Sequence, residues 1–163
     1  MRQELRKDDF RRAVNFVSFT RVLYYIYQCM ESAGTTGCKY TFGVLQNGDS
    51  ALGEEFFRRS VLRVAEELLG ATLVRRVAGV EHRAVIHEVE AYDGPQDEAC
   101  HASRGCTERT KVMFGQAGRW YVYFVYGMHW MLNIVTGEQG YPAAVLIRAA
   151  GEWDGPGKLT KAL

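Results

Sequence analysis

Trp120–Tyr126 reads WYVYFVY, a run in which every residue is aromatic or β-branched. Such side chains lose freedom in a helix and fit a pleated surface, so the run commits the chain to a sheet. Gly127-Met128 follows as a tight turn, and His129–Val135 (HWMLNIV) reads as the returning strand. Period two sets Tyr121 and Tyr123 on one face and Trp120, Val122 and Phe124 on the other, with Tyr126 free to project at the turn. After a Gly137–Pro142 turn, Ala143–Arg148 (AAVLIR) reads as a buried strand. Upstream, Ala71–Val77 and Arg83–Tyr92 flank Ala78-Gly79 as a second hairpin. Ahead of it, Phe57, Val61, Val64 and Leu68 recur among charged residues as the stripe of an amphipathic helix ending at Gly70. Gly155-Pro156-Gly157 opens a short last helix, KLTKAL. Hairpin strands with flanking helices predict a single α+β domain built on a mostly antiparallel, curved sheet.

A chain of 163 residues, 47% of them hydrophobic, suffices for one domain with its own core and is not disordered. Residues 31–53 hold Gly34, Gly37, Gly43, Gly48 and Gly53, a linker composition. The expected division is therefore an extension over 1–48 and a folded domain over 49–163. The extension carries seven Lys and Arg against four Asp and Glu, the domain thirteen against fifteen. A net charge of +1 argues against a basic clamp for nucleic acid. Ala13–Met30 is apolar but has Arg21 at its centre, which favours a packed helix or an irregular extension over a membrane span. The four cysteines form no C-x-x-C pair. Cys100, His101 and Cys106 lie near one another in sequence, but unpaired thiols are the ordinary reading and no metal is expected.

Four features carry chemistry. Glu88, Glu90 and Tyr92 alternate on one strand and so share a face; the ordinary alternative is a solvent-facing strand edge. The loop Gly94–His101 follows directly and can fold His101 back over Glu90. The Tyr126-Gly127-Met128 tip is an apolar wedge of the kind that nucleic-acid proteins insert between base steps, and aromatic faces stack on bases. Arg148 closes an apolar strand, either surfacing there or pairing with a site carboxylate.

Together, EVEAYDGPQDEACHASRG, MFGQAGRWYVYFVYGMHWMLNIV, PAAVLIRA and GPGKLTKAL resemble the alkyladenine (3-methyladenine) DNA glycosylases in order and spacing, from Leu52-Gly53 to Leu163. The resemblance implies a sheet like the C-terminal domain of formyltransferases and repair of double-stranded DNA by excision of alkylated or deaminated purines. Glu90 would be the general base that activates water. Arg148 would hold Glu90 and that water. Tyr92, His101 and Tyr123 would bracket the flipped base, and Asn133 would hinder the amino group of normal guanine. Tyr126 would fill the gap left in the duplex, flanked by Met128. No metal or nucleotide cofactor is implied, and a monomer without membrane attachment is expected, cytoplasmic in a bacterium and nuclear in a eukaryote.

The family continues for several tens of residues past the matching GPGKLTKAL. A C-terminally truncated catalytic domain is therefore expected, with weak, salt-sensitive affinity for duplex DNA because basic phosphate contacts would lie in the tail. The alternatives are an inactive fragment or paralogue that serves as a nucleic-acid binding module, and a membrane-attached protein led by residues 13–30.

Overall fold

In the computed structural model, which describes residues 3–6, 40–46, 50–77 and 80–163, the aromatic and β-branched runs become strands of one sheet. The apolar run 13–30, the Ala78-Gly79 turn and the 48/49 boundary lie outside the described residues. The strands are β1 (Gln3–Arg6), β2 (Tyr40–Gln46), β3 (Ser50–Ala51), β4 (Thr72–Val77), β5 (Val80–Asp93), β6 (Trp120–Val125), β7 (His129–Thr136), β8 (Ala143–Ala150) and β9 (Trp153–Asp154). Their order is β3-β2-β4-β5-β8-β7-β6, with β1 paired to β5 and β9 to β8, and every pairing is antiparallel. The α+β class with a mostly antiparallel sheet is thus as expected. Among the described residues no helix is long and apolar enough to cross a membrane.

The sheet has two unlike faces. One carries Ile86, Val89 and Ala91 of β5, Leu132 and Ile134 of β7, Trp120 of β6, and Val145 and Ile147 of β8. This face packs on α1 (Glu54–Phe57), α2 (Val61–Leu68) and α3 (Pro156–Ala162), which bury Phe57, Val61, Val64, Leu68, Leu159 and Ala162. The helical stripe read from the sequence is all in this core, but its helix is broken in two. Gly137 N–H donates to the carbonyls of Phe57 and Arg59 at 3.0 and 3.1 Å. The turn after β7 thus captures carbonyls that a continuous helix would use internally, and Ser60 takes an extended ψ of 142°.

Strand β5 is 14 residues long and serves two neighbours in turn. Its first half pairs with β4; its second half pairs with β8 and, over Glu88–Ala91, with β1. The β5–β8 register shifts twice. His87 lies unpaired between the pairs Ile86↔Ala150 and Glu88↔Ala149, and Arg148 lies unpaired between Ala149 and Ile147. Each strand therefore gains one residue, the alternation of both slips together, and the apolar face stays continuous across the slip. Bulges of this kind re-aim a side chain. On β8 the re-aimed residue is Ala150, which enters the core opposite Ile86, while Arg148 keeps the alternation of Ala144 and Leu146 and joins Glu88 and Glu90 on the face away from the helices.

β5 ends at Gly94, which adopts φ +73° at the start of a loop containing three single-turn 3₁₀ segments, Gly94–Gln96, His101–Arg104 and Lys111–Phe114. A Cβ on Gly94 would lie 2.5 Å from the Tyr141 ring. Gly105, at φ +86°, has open space around it. Gly94→Ala should therefore lower stability by about 2–4 kcal/mol, from left-handed strain plus overpacking. Gly105→Ala, at φ +86° and ψ −171°, should cost only the backbone strain, about 1–3 kcal/mol. Urea titration of the two variants beside the parent chain measures the difference; equal losses would contradict it.

Candidate active site

Glu90 is 1% exposed and Glu88 7%, so the strand-edge alternative does not hold. An ionised carboxylate at such depth needs partners. Arg148 supplies them with a fork, Nε donating to Glu88 Oε1 and Nη1 to Glu90 Oε2, both at 2.8 Å. The Tyr92 hydroxyl donates to the other Glu90 oxygen at 3.0 Å. Burial alone would lower the Arg148 pKa, but the bonds to the two carboxylates outweigh it and hold it above the ordinary value. Period two thus put Glu88, Glu90 and Tyr92 together correctly, and Arg148 closes onto them as a site residue.

The register carries this site toward an aromatic pocket. Glu90 lies opposite Leu146, Leu146 opposite Asn133, and Asn133 opposite Tyr121, a cross-strand row on one face. Next to it, Tyr92 lies opposite Ala144 and Ala144 opposite Val135. The small side chain of Ala144 leaves a hollow between larger neighbours. The hollow encloses about 310 Å³ of empty space including its mouth, lined by Tyr92, Cys100, His101, Tyr121, Tyr123 and Asn133, with Met113 also in its wall. The sequence-predicted pocket residues Tyr92, His101, Tyr123 and Asn133 are therefore brought together.

Internal bonds fix their orientation. The Asn133 amide donates to the carbonyls of Tyr121 and Met131 at 3.1 and 3.3 Å, which sets which end of the amide is nitrogen. His101 Nδ1 lies 3.1 Å from the Tyr121 hydroxyl, so it bonds to that residue instead of folding over Glu90. Burial pushes the His101 pKa down, with the charges of Arg109 and Arg104 adding to the effect, and keeps the ring neutral at pH 7. The His101 and Tyr123 centroids are only 4.5 Å apart with the rings inclined at 68°. Two rings flanking a third need roughly twice the ~3.4 Å stacking step of a nucleic acid, so in this conformation these two touch each other.

The Cys100 thiol is buried against the Pro142 carbonyl at 3.7 Å, and burial raises its pKa; Cys106 is exposed. Among the described residues no group of His, Cys, Asp and Glu is arranged to hold a metal ion. Tyr126 and Met128 do not line the pocket. They stand at the far end of β6, 88% and 66% exposed. Met128 N–H closes the turn onto the Val125 carbonyl at 3.1 Å, with Tyr126 and Gly127 at φ +53° and +65°. These are the φ signs of a type I′ hairpin turn.

Sequence reasoning missed Tyr121, Met113 and Ala144 as pocket residues. For Tyr121 the signal was present, since period two places it beside Tyr123. Met113 and Ala144 are ordinary core residues by pattern, and only the fold turns them into wall and floor.

The family model for methylpurine-DNA glycosylase matches residues 55–155. A provisionally named 3-methyladenine DNA glycosylase of Methanocella arvoryzae is 53% identical over 104 residues, which is 64% of this chain and 52% of that protein. Provisionally named 3-methyladenine DNA glycosylases of Sodalis glossinidius and Myxococcus xanthus are 48% and 50% identical over 122 and 121 residues, covering 71% and 69% of this chain and 69% and 62% of their own lengths. The chain thus spans between about half and about two thirds of these curated relatives.

Two measurements test the site's electrostatics. Arg148→Met should destabilise the chain by about 2–4 kcal/mol in urea unfolding, somewhat below the value for a fully enclosed pair because the arginine side chain stays 23% exposed. Adding Glu88→Gln and Glu90→Gln should recover part of that loss. For His101, the folded state favours the neutral ring, so unfolding takes up a proton. Its contribution to stability is present above the ordinary value of 6.5 and is lost as pH falls through it toward the lower folded value. The fall in urea midpoint between about pH 8 and about pH 5.5 should therefore be smaller in His101→Gln than in the parent; an unchanged fall would refute the assignment.

Proposed function

The chain belongs to the methylpurine-DNA glycosylase family, and we propose that it is a DNA-repair enzyme that hydrolyses the N-glycosidic bond of alkylated or deaminated purines flipped out of duplex DNA. The observation that carries this reading is the enclosed Glu90 carboxylate, held between Arg148 and the Tyr92 hydroxyl one register step from an aromatic pocket. A carboxylate so held is suited to act as a base on one water. The water oxygen bonds to the sugar C1′, the C1′–N bond breaks, Glu90 takes the water's proton, and the purine leaves with the bonding pair. No covalent intermediate on the protein is needed, so the second carboxylate, Glu88, serves to share Arg148. Arg148 orients Glu90 through a fork that gives one nitrogen to each carboxylate, a geometry lysine does not reproduce.

In this reading Tyr92, His101 and Tyr123 stack on the extruded base, and Asn133 discriminates at its edge. The base enters between rings that now touch, so His101 moves away from Tyr123 on its loop when the site fills. Tyr126 and Met128, presented at the hairpin tip, fill the space the nucleotide leaves. Residues 49–163 carry the catalytic side chains, on a sheet that also takes in β1 and β2 and has the curved topology of the formyltransferase C-terminal domain. Duplex DNA carrying a damaged purine is the partner, bound by a monomer.

A Tyr at a left-handed turn position is strained, whereas Asn-Gly is the preferred type I′ pair. Single-turnover release of hypoxanthine or 1,N6-ethenoadenine from duplex DNA should fall about 10²–10⁴-fold in Glu90→Gln, the range for loss of a general base. Tyr126→Asn should leave thermal stability equal or up to about 1 kcal/mol higher while slowing release. Equal release by the parent and Glu90→Gln would sink the catalytic assignment, and duplex binding with no release by either would leave a binding module.

A further inference from the structure

Helix α3 begins where the sheet runs out. β8 pairs with β7 only over Asn133–Thr136, so among the described residues the stretch His129–Leu132 has a strand on one side alone, β6. The first turns of α3 lie against this stretch. Thr160 Oγ1 donates to the Trp130 carbonyl at 2.8 Å. Gly157 faces His129, which opens β7 beside the tip and pairs with Val125.

The backbone at 157 does not call for glycine. Its φ lies outside the left-handed region, and a helix prefers alanine to glycine at such a position. The neighbour does call for it. A Cβ at 157 would lie 2.7 Å from His129 Nδ1, 2.8 Å from its Cγ and 3.3 Å from its Cβ, where ordinary contacts are about 3.5–4.0 Å. Of the other described glycines with ordinary φ, Gly43 and Gly53 have open space and Gly115 meets a carbonyl at 3.2 Å. The contact at 157 reaches the root of the histidine side chain, so turning the ring leaves part of it in place and the strand has to yield.

We propose that Gly157 is a positioning residue for the hairpin tip. Lacking a side chain, it lets the first turn of α3 seat on His129 and so sets the angle at which Tyr126 and Met128 are presented to the duplex. The inference rests on the reading of the tip as a wedge and names what aims it. A shift at His129 carries to the turn, because Val125 pairs with His129 and its carbonyl accepts from Met128 N–H. The Phe124 and Trp130 rings, 4.6 Å apart across the two strands, make the stem move as one piece.

The test uses a duplex with hypoxanthine beside 2-aminopurine, whose fluorescence rises as its stacking is lost. The full parent chain should raise the signal, and Tyr126→Ala should not. Gly157→Ala should lose most of the rise and slow single-turnover release from the duplex about 10–100-fold, the scale of a displacement of about 1 Å. Release from the same strand left single, which has no gap to fill, should be unchanged by Gly157→Ala, an outcome that a merely structural role would not give. His129→Ala removes the two nearest atoms, so in that background Gly157→Ala should have little further effect, the non-additivity of residues in contact. A Gly157→Ala chain that matches the parent on the duplex, that slows release equally from duplex and single strand, or that loses as much in the His129→Ala background as in the parent would overturn the inference and leave the wedge reading standing. A full rise in Tyr126→Ala, or none in the parent, would overturn the wedge reading and the inference with it.

Discussion

A carboxylate with 1% of its surface exposed, in the middle of a sheet, is the constraint from which the rest of this fold can be reasoned. Glu90 has strands on both sides, so solvent cannot reach it along an edge. Its charge is tolerable only if a cation and hydrogen-bond donors are delivered to the same place. The cation comes from the neighbouring strand by regular pleating, since Ala144, Leu146 and Arg148 alternate onto the site face while Val145 and Ile147 stay in the core. The paired slips at His87 and Arg148 then keep the apolar face continuous beyond the site, through Ile86 and Ala150. Replacing the Arg148–Glu88–Glu90 cluster with packed apolar side chains would be no less stable by ordinary accounting. The cluster is therefore better explained by what the carboxylate does than by what it contributes to folding.

The division of labour between the two faces follows from that. The face toward α1, α2 and α3 is uninterrupted hydrocarbon, and it fixes strand positions through close packing. The opposite face is thereby free to carry Glu88, Glu90, Tyr92, Asn133, Tyr121 and Tyr123 in register. A rigid sheet with its site residues on strands holds them more precisely than loops would. From the loop come Ala99, Cys100, His101 and Met113, of which His101 is anchored to Tyr121 and Cys100 to the Pro142 carbonyl. The pocket thus has one wall on the loop, while the carboxylate stays on the sheet.

Much of this was legible before any coordinates, for physical reasons that differ by residue. The hairpin of β6 and β7 was legible because β-branched and aromatic residues leave few alternatives, and the sharing of a face by Glu88, Glu90 and Tyr92 follows from the pleat alone. Burial of Glu90 was not legible, because a carboxylate in a strand has the same local pattern whether the strand is at an edge or in the interior. The bulge was only half legible: β5 breaks its period of two between Ile86 and Val89, whereas β8 is apolar on both sides of Arg148 and hides its slip. The split between α1 and α2 depends on Gly137, some 80 residues away, which no local periodicity reports. The resemblance to a family reached further, naming Asn133 and Arg148, yet it carried no information on the contact of Gly157 with His129, which is a matter of where α3 packs.

The hairpin tip shows how local rules and function diverge. Position 126 has φ +53° and precedes a glycine in the same region, a setting that selects for Asn, Asp or Gly. A tyrosine there accepts strain and, at 88% exposure, buries almost none of its ring. Folding gains nothing evident from it. The strain persists because the surroundings over-determine the turn. Phe124 and Trp130 pair across the two strands just behind it with ring centroids 4.6 Å apart. The Trp130 carbonyl accepts a bond at 2.8 Å from Thr160 of α3, which ties the base of the hairpin to the helix layer. A paired stem carrying a strained, solvent-facing aromatic is thus an arrangement that packing within the chain does not account for.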